Sequence, residues 1–179
     1  LAFVGQPTDA AAGAVVSPAV TVQARDSFGN LAPGVPVSIS LSTGSGSLGG
    51  TTARTSDANG VATFADLSIN LAGTKKLMAA SGVLTTGESD AFTITPAAAY
   101  HLALQTQPSA TATAGTVFVQ QPVIRIEDQF GNLVSSDNST PVGVTRNTGS
   151  GILQGTTNLV AVGGLVAFTN LAHNVATTI

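Results

Sequence analysis

Hydrophobic and polar residues alternate along much of this 179-residue chain. Every second residue from Val35 to Leu41 is aliphatic, and Val20, Val22 and Ala24 follow the same period of two. A period of two places apolar side chains on one face of a β-strand, whereas a helix would show a period of 3.6. Clusters of Gly, Pro, Asn, Asp and Ser interrupt these runs. The pattern favours an antiparallel sandwich of short strands over any arrangement that alternates strands with helices.

The pattern predicts that the first half of the chain forms a series of strands and needs no helix. The predicted strands lie near residues 1–6, 16–24, 35–42, 50–55, 61–69, 75–81 and 90–95. One stretch departs from simple alternation, because Phe64 and Leu67 are three residues apart and cannot face one core along a regular strand. Phe168 and Leu171 have the same spacing. We therefore expect a bulge or a strand end between the members of each pair.

A series of short motifs occurs twice in the same order. DSFGNL at residues 26–31 recurs as DQFGNL at 128–133, LAFVGQP at 1–7 as LALQTQP at 102–108, TGSGSL at 43–48 as TGSGIL at 148–153, and GVATFADL at 60–67 as GLVAFTNL at 164–171. Such repetition is typical of tandem domains. The sequence predicts two all-β modules, each an antiparallel β-sandwich, residues 1–98 and 99–179, of which the second is incomplete at its C-terminus.

Two explanations of the incomplete second module stay open. Either the chain is an excised or processed piece of a longer polypeptide, as its start at Leu1 without a signal-like segment also indicates, or a neighbouring chain supplies the missing strands to an exposed sheet edge. The segment TPAAAYH at residues 95–101 joins the modules. Because it is short and contains Pro96, we expect it to restrict hinge motion and the two modules to extend as beads on a rod.

Composition narrows the range of functions. Only 8% of residues are charged, against roughly 25% in an ordinary soluble domain, and the net charge is −3 with six scattered basic residues. This excludes a phosphate-binding surface for nucleic acid. The absence of cysteine excludes disulfides, thiolate metal sites and cysteine nucleophiles. The longest apolar run, near residues 159–168, is shorter than the roughly 20 residues of a membrane-spanning helix.

The repeated DxFGNL motif predicts a turn. Aspartate at its first position suits capping of backbone N–H groups, and glycine at its fourth tolerates a positive φ. DANG at residues 57–60 repeats this formula, whereas the second module has VGGL at 162–165 and lacks the carboxylate. We assign structural turn roles to Asp26, Gly29, Asn30, Asp57, Gly60, Asp128, Gly131 and Asn132. The alternative is calcium binding at Asp26 and Asp128; we expect no other metal and no cofactor.

No residue pattern indicates catalysis. Glu127 and Asp128 are adjacent and point to opposite faces of a strand, so they cannot flank one glycosidic bond. GSGSLG at residues 44–49 matches a nucleotide-binding fingerprint formally, but β-prone residues follow it where a helix is required. His101 and His173 have no recurring partners, and we interpret them as solvent or linker histidines. NST at residues 138–140 is an isolated glycosylation sequon.

The order of motifs resembles the bacterial immunoglobulin-like repeats of invasin- and intimin-type surface proteins. The motifs that carry the resemblance are DSFGNL at 26–31, GVPVSIS at 34–40, the glycine-rich turn before TT at 44–52, DANGVATF at 57–64 and AGT at 72–74. The second module departs from them at VGGL. In that family such repeats serve mostly as stalk segments, and the receptor-binding element lies in a distal domain.

The resemblance implies that both β-sandwich modules are immunoglobulin-like. It also implies a non-enzymatic stalk segment of a large bacterial surface or secreted adhesin-like protein, located at the cell surface or outside the cell. Its expected partners are neighbouring immunoglobulin-like repeats, with a surface protein or a glycan as a further candidate. Two alternatives remain. One is a self-assembling fibre or surface-layer subunit that uses strand donation; the other is a glycan-binding accessory module of a secreted enzyme, although the chain has no Trp and one Tyr, Tyr100.

Overall fold

The chain is all-β, as the alternation predicts. A computed structural model describes residues 1–82 and 84–179, and no helix occurs among them. The chain divides into two compact units, Leu1–Ala97 and Ala98–Ile179. Each unit is described by itself below.

The first unit contains eleven short strands in its described part. They are β1 (Ala2–Gly5), β2 (Ala10–Ala11), β3 (Val20–Gln23), β4 (Pro36–Thr43), β5 (Leu48–Gly49), β6 (Ala53–Thr55), β7 (Val61–Phe64), β8 (Ser68–Ile69), β9 (Gly73–Ala80), β10 (Gly87–Glu88) and β11 (Phe92–Thr95). One sheet has the order β1-β3-β7, a second has the order β2-β11-β9-β4-β6 with β10 beside β9, and β5 pairs with β8 in a small third sheet. The strands pair antiparallel except β2 and β11, which are parallel. The alanine-rich stretch around β2 has no alternation, so this pair was not predicted.

The two larger sheets of the first unit enclose an apolar core. β3 contributes Val20 and Val22, β4 contributes Val37 and Ile39, and all four side chains are buried. The inward residues lie two apart, as the period of two requires. β11 adds Phe92 and Ile94, and β9 adds Leu77 and Ala79.

The irregular spacing of Phe64 and Leu67 is explained by a strand end. β7 ends at Phe64 and β8 begins at Ser68. Both Phe64 and Leu67 are buried. The single predicted strand over residues 61–69 is therefore wrong, and the predicted interruption within it is correct, because the chain leaves one strand pairing before it reaches the next.

The second unit repeats the arrangement of β1, β3 and β7. Its strands are β12 (His101–Thr106), β13 (Val123–Glu127), β14 (Pro141–Gly143), β15 (Leu153–Gln154), β16 (Asn158–Val160), β17 (Leu165–Ala167) and β18 (Ala172–His173). β12, β13 and β17 form an antiparallel sheet. Leu104 pairs with Ile124 as Phe3 pairs with Val22, and a register shift follows each pair at the same place. The repeat therefore extends to the irregularities of strand pairing.

The core of the second unit lies beneath this sheet. It consists of Phe118, Ile126, Val134, Val142, Ala161, Val166, Phe168 and Leu171. The described residues 99–179 contain no counterpart of β9, β10 or β11. Strand β14 is therefore paired with β16 on one side. Its counterpart in the first unit, β4, is paired with β6 on one side and with β9 on the other.

Candidate functional site

The DSFGNL loop is closed by its own aspartate. Asp26 Oδ1 accepts hydrogen bonds from the backbone N–H groups of Phe28 at 2.9 Å and Asn30 at 2.8 Å, and Asp26 Oδ2 accepts one from Asn30 Nδ2 at 3.0 Å. The Gly29 amide donates to the Asp26 carbonyl at 3.1 Å. Gly29 has a φ of +86°, which explains the glycine at this position.

DQFGNL in the second unit has the same set of hydrogen bonds. Asp128 Oδ1 accepts from the amides of Phe130 and Asn132 at 2.9 Å each, and Oδ2 accepts from Asn132 Nδ2 at 2.8 Å. Gly131 has a φ of +83°. The surroundings differ, because Asp128 is completely buried while its counterpart Asp26 is exposed.

The DANG loop uses the same hydrogen-bond pattern a third time. Asp57 Oδ1 accepts from the amides of Asn59 at 2.8 Å and Val61 at 2.9 Å. The Gly60 amide donates to the Asp57 carbonyl at 2.9 Å, and Gly60 has a φ of +69°. In each of the three loops the aspartate accepts from the residues two and four positions ahead, and the glycine lies three ahead.

These contacts favour the ionised form of Asp26 and of Asp57. The Asn30 side chain is the main cause that lowers the pKa of Asp26 below its ordinary value of 3.8. The Val61 amide is the main cause for the lowered pKa of Asp57. Hydrogen bonds to the charged carboxylate favour it over the acid.

In the second unit the turn at residues 162–165 forms without a carboxylate side chain. Val162 and Leu165 exchange backbone hydrogen bonds at 2.9 and 3.1 Å. The two glycines between them have positive φ values, +60° at Gly163 and +74° at Gly164. Two positive φ values in a two-residue hairpin are the pattern of a type I′ turn. The glycines therefore replace the aspartate as the cause of the turn.

The carboxylates of Asp26 and Asp128, the two calcium candidates, accept hydrogen bonds within their own loops. Both carboxylate oxygens of Asp26 already accept N–H bonds, and those donors point positive charge at the oxygens. Among the described residues no group of three or more His, Asp or Glu side chains comes together that could hold a metal ion.

The other candidate residues, Glu127, Asp128 and Asn138, do not come together in one site. Glu127 Oε1 lies 2.9 Å from Arg125 Nε, as an ion pair without hydrogen-bond geometry, and Glu127 Oε2 lies 3.4 Å from His101 Nε2. Asp128 is held in its own loop. Asn138 of the sequon accepts from the Gly163 amide at 2.8 Å and donates from Nδ2 to the Ser136 carbonyl at 3.2 Å.

One buried charged side chain, that of Lys75, was not singled out by the sequence. Lys75 on β9 is 1% exposed, its Nζ donates to the Ala72 carbonyl at 3.2 Å, and burial lowers its pKa below the ordinary value of 10.5. The period of two in the sequence indicated this burial, because Lys75, Leu77 and Ala79 are alternate residues of β9 and face the same, buried side.

The interpretation of His173 as a solvent or linker residue is wrong. Its ring is buried on β18, at the position that Ile69 occupies in the first unit: Gly115 donates to the His173 carbonyl as Gly13 donates to that of Ile69. His173 Nδ1 lies 2.8 Å from the Val175 carbonyl, and its Nε2 has no partner among the described residues. Aligning the two repeats would have indicated this burial.

Two cavities open in the second unit. One, of about 420 Å³, lies between β12 and the stretch around Val144, and its lining includes Leu104, Phe118, Ile124 and Leu153. The other, of about 490 Å³, lies between residues 108–114 and 175–179 and includes His173. The described residues contain no helix that is long and apolar enough to cross a membrane.

Comparisons with known proteins give structural neighbours only. No protein-family model matches the chain, and no curated protein sequence matches it. Among solved structures, the D0-D1 domain of intimin is similar with 15% identity and a TM-score of 0.42 over 96% of this chain and 83% of that one.

Two further solved structures are similar over most of this chain. FdeC, an Escherichia coli adhesin, has 21% identity and a TM-score of 0.44, with 97% of this chain and 54% of that one covered. Invasin, described as a bacterial integrin-binding protein, has 16% identity and a TM-score of 0.43, with 95% and 32% covered. The chain thus spans about half of the FdeC structure and a third of the invasin structure. The resemblance predicted from the motifs is to the same kind of protein.

Proposed function

We propose that the chain is a non-enzymatic structural segment of a bacterial cell-surface or secreted adhesin-like protein, in which two modules, residues 1–98 and 99–179, space or present binding elements. The division of the chain at Ala97 and Ala98 supports these boundaries. Each module has its own apolar core, so a longer array needs no continuous interior.

The path of the chain through the first unit is the observation that carries this proposal. Leu1 lies beside Thr85, whose carbonyl accepts a hydrogen bond from the Leu1 amine at 3.1 Å, near the end of β9 where Ala79 pairs with Gly87. β11 ends at the opposite end of β9, where Ile94 pairs with Gly73. β9 has eight residues, which is about 25 Å of extended chain. A module that the chain enters at one end and leaves at the other is suited to a stalk.

The loops support a structural role. Three aspartates of the chain are each used to close a loop on its own backbone. A general acid or base needs a carboxyl group that can reach a substrate proton. The arrangement favours fixed corners over a reactive site.

Small-angle X-ray scattering of the whole chain tests the stalk. A compact globule of this length would have a radius of gyration of about 16 Å. We expect a value above about 20 Å with a two-lobed distance distribution, since each unit alone is a compact body. A single-lobed distribution near the compact value would refute the spacer role.

A glycan-binding accessory module is the second candidate. Tyr100 is 75% exposed, and its ring lies nearly perpendicular to that of His101 with ring centroids 5.8 Å apart, so it offers an accessible aromatic surface. Sugar rings stack on such faces. A polysaccharide array probed with the chain and with Tyr100→Ala decides this: loss of a signal in the variant supports glycan binding, and an array without signal removes it.

A further inference from the structure

Strand β16 has backbone groups on its outer side that the described part of the chain does not use. Only one side of β16 is paired in the described part of the unit, with β14. On that side the Thr157 carbonyl accepts a hydrogen bond from the Val144 amide at 2.9 Å. Backbone groups of an antiparallel strand point alternately to its two sides, so the N–H and C=O groups of Asn158 and Val160 point away from β14. We call these four groups the β16 edge.

The same edge is present in the first unit. Strand β6 is the counterpart of β16, because Arg54 pairs with Val37 as Leu159 pairs with Val142. Val37 and Val142 hold the same place in the repeated motifs VPVSIS and TPVGVT. The first unit continues from β7 to β11, and β6 still lies last in its sheet with β4 as its neighbour. The outer side of this strand is therefore an edge of the module even where the later strands are present.

The two edges differ in the residue at their centre. Arg54 pairs with the buried Val37 and so places a charge on the inner face of an edge strand, an arrangement that hinders pairing with another chain. Leu159 has the same place in the second unit and packs against the apolar core. Val160 is 53% exposed, and residues 147–179 contain no Asp, Glu, Lys or Arg. No charge of β16 therefore opposes the addition of a strand at its edge.

The free groups of the β16 edge are arranged symmetrically about Leu159. The Thr156 amide before them and the Val162 amide after them already donate within the unit, to a side-chain oxygen and to a turn carbonyl. If two such strands run antiparallel about a two-fold axis at Leu159, Asn158 of each strand exchanges two hydrogen bonds with Val160 of the other. All the groups of both edges are then used.

We propose that two copies of this chain associate by antiparallel pairing of their β16 edges. A second copy supplies the matching backbone groups in the required register, an apolar side chain opposite Leu159, and no charge. A β6 edge in the same place would instead bring Arg54 opposite Leu159. Because the strand is short, the interface is small and the association weak, and several such contacts along an array would reinforce one another. This inference goes beyond a spacer, because it makes the second unit a contact between molecules.

Sedimentation equilibrium of the whole chain tests the association. We expect the average mass to rise from that of one chain toward that of two between about 1 µM and 1 mM. Leu159→Arg introduces the residue of the first unit and should raise the dissociation constant at least tenfold, whereas Leu159→Met, an uncharged change of similar volume, should leave it unchanged. A chain that stays monomeric throughout overturns the proposal and leaves the edge to a strand of another protein. Equal association of the Arg and Met variants overturns it as well.

A substitution at Val160 tests the main-chain hydrogen bonds. Val160→Pro removes an N–H group that points away from β14, and proline is tolerated on that side of an edge strand. We expect the dissociation constant to rise at least tenfold, whereas Val160→Thr keeps the donor and should associate as the original chain does. The same dissociation constant in both folded variants contradicts the proposal. If the proline variant does not fold, Leu159→Arg decides, because Arg54 shows that the module accepts this side chain at the centre of the edge.

A cysteine at the centre of the edge identifies the register. The proposed pairing places the Cα atoms of the two Leu159 residues about 4.5 Å apart, a separation that a disulfide can span. The chain has no cysteine of its own. Under mild oxidation Leu159→Cys should form at least tenfold more disulfide-linked dimer than Val119→Cys, the control, whose side chain is 97% exposed and lies outside the edge. Equal cross-linking of the two variants, or more in the control, places the contact elsewhere and overturns the proposal.

Discussion

Asn30 donates to Asp26 twice, from its backbone amide to Oδ1 at 2.8 Å and from its side-chain Nδ2 to Oδ2 at 3.0 Å. The backbone amide of Asp26 in turn donates to the Asn30 carbonyl at 3.0 Å. One pair of residues therefore ties the two ends of the DSFGNL loop together at three points. The same three hydrogen bonds link Asp128 and Asn132.

Removal of the loop carboxylate should loosen the first unit. We expect Asp26→Ala to lower the melting temperature by a few degrees, because the amides of Phe28 and Asn30 lose their acceptor. Circular dichroism during heating gives the measurement. Asp90→Ala is the matched control, since the exposed Asp90 carboxylate makes no hydrogen bond in the described part of the chain. Equal melting temperatures of the two variants would argue against a closing role for Asp26.

Acid should destabilise the chain through the loop aspartates. Folding lowers the pKa values of Asp26, Asp57 and Asp137. For Asp137 the main cause is the hydrogen bond from the Thr140 hydroxyl. The folded state therefore binds a proton at these carboxylates less readily than the unfolded state does. Their contribution to stability is complete above the ordinary carboxyl pKa of 3.8 and is lost as the pH falls through the lower folded values. The urea midpoint should therefore fall below about pH 4. A midpoint that stays constant down to pH 2.5 would contradict this assignment.

The two glycines of the VGGL turn should respond differently to alanine. Both have positive φ values, which cost an L-residue about 1 kcal/mol. At Gly163 that is the whole cost, because the nearest described atom to an added Cβ is the Ser135 carbonyl oxygen at 4.0 Å. At Gly164 the added Cβ would lie 2.5 Å from the Val134 carbonyl oxygen. We expect Gly164→Ala to cost about 2–3 kcal/mol in urea unfolding, and equal costs at the two positions would contradict the turn geometry.

The sequence predicted those parts of the fold in which local pattern and tertiary structure agree. The alternation from Val35 to Leu41 predicted β4, because its inward side chains are apolar at every second position. Ala10 and Ala11 gave no such signal, since their pairing with β11 depends on main-chain groups and a partner about 84 residues away.

Lys75 should limit the stability of the first unit, because its ammonium group is buried with the Ala72 carbonyl as its described hydrogen-bond partner. The second unit has Ile179 at the corresponding place in the repeat. We expect Lys75→Ile to stabilise the chain at pH 7 by about 1–2 kcal/mol in urea unfolding, because an apolar side chain needs no desolvation of a charge.

The pH dependence of the same variant separates charge from packing. Burial lowers the pKa of Lys75, so the unfolded state binds its proton more readily, and the original chain gains stability as the pH rises toward the ordinary value of 10.5. Lys75→Ile should lack that gain, and the difference between the two chains should shrink from pH 7 to pH 10. Lys76→Ile is the control, because Lys76 lies on the other face of β9 in an ion pair with Glu88 at 2.7 Å. If Lys75→Ile destabilises the chain at pH 7, the ammonium is held by interactions that outweigh the cost of its burial.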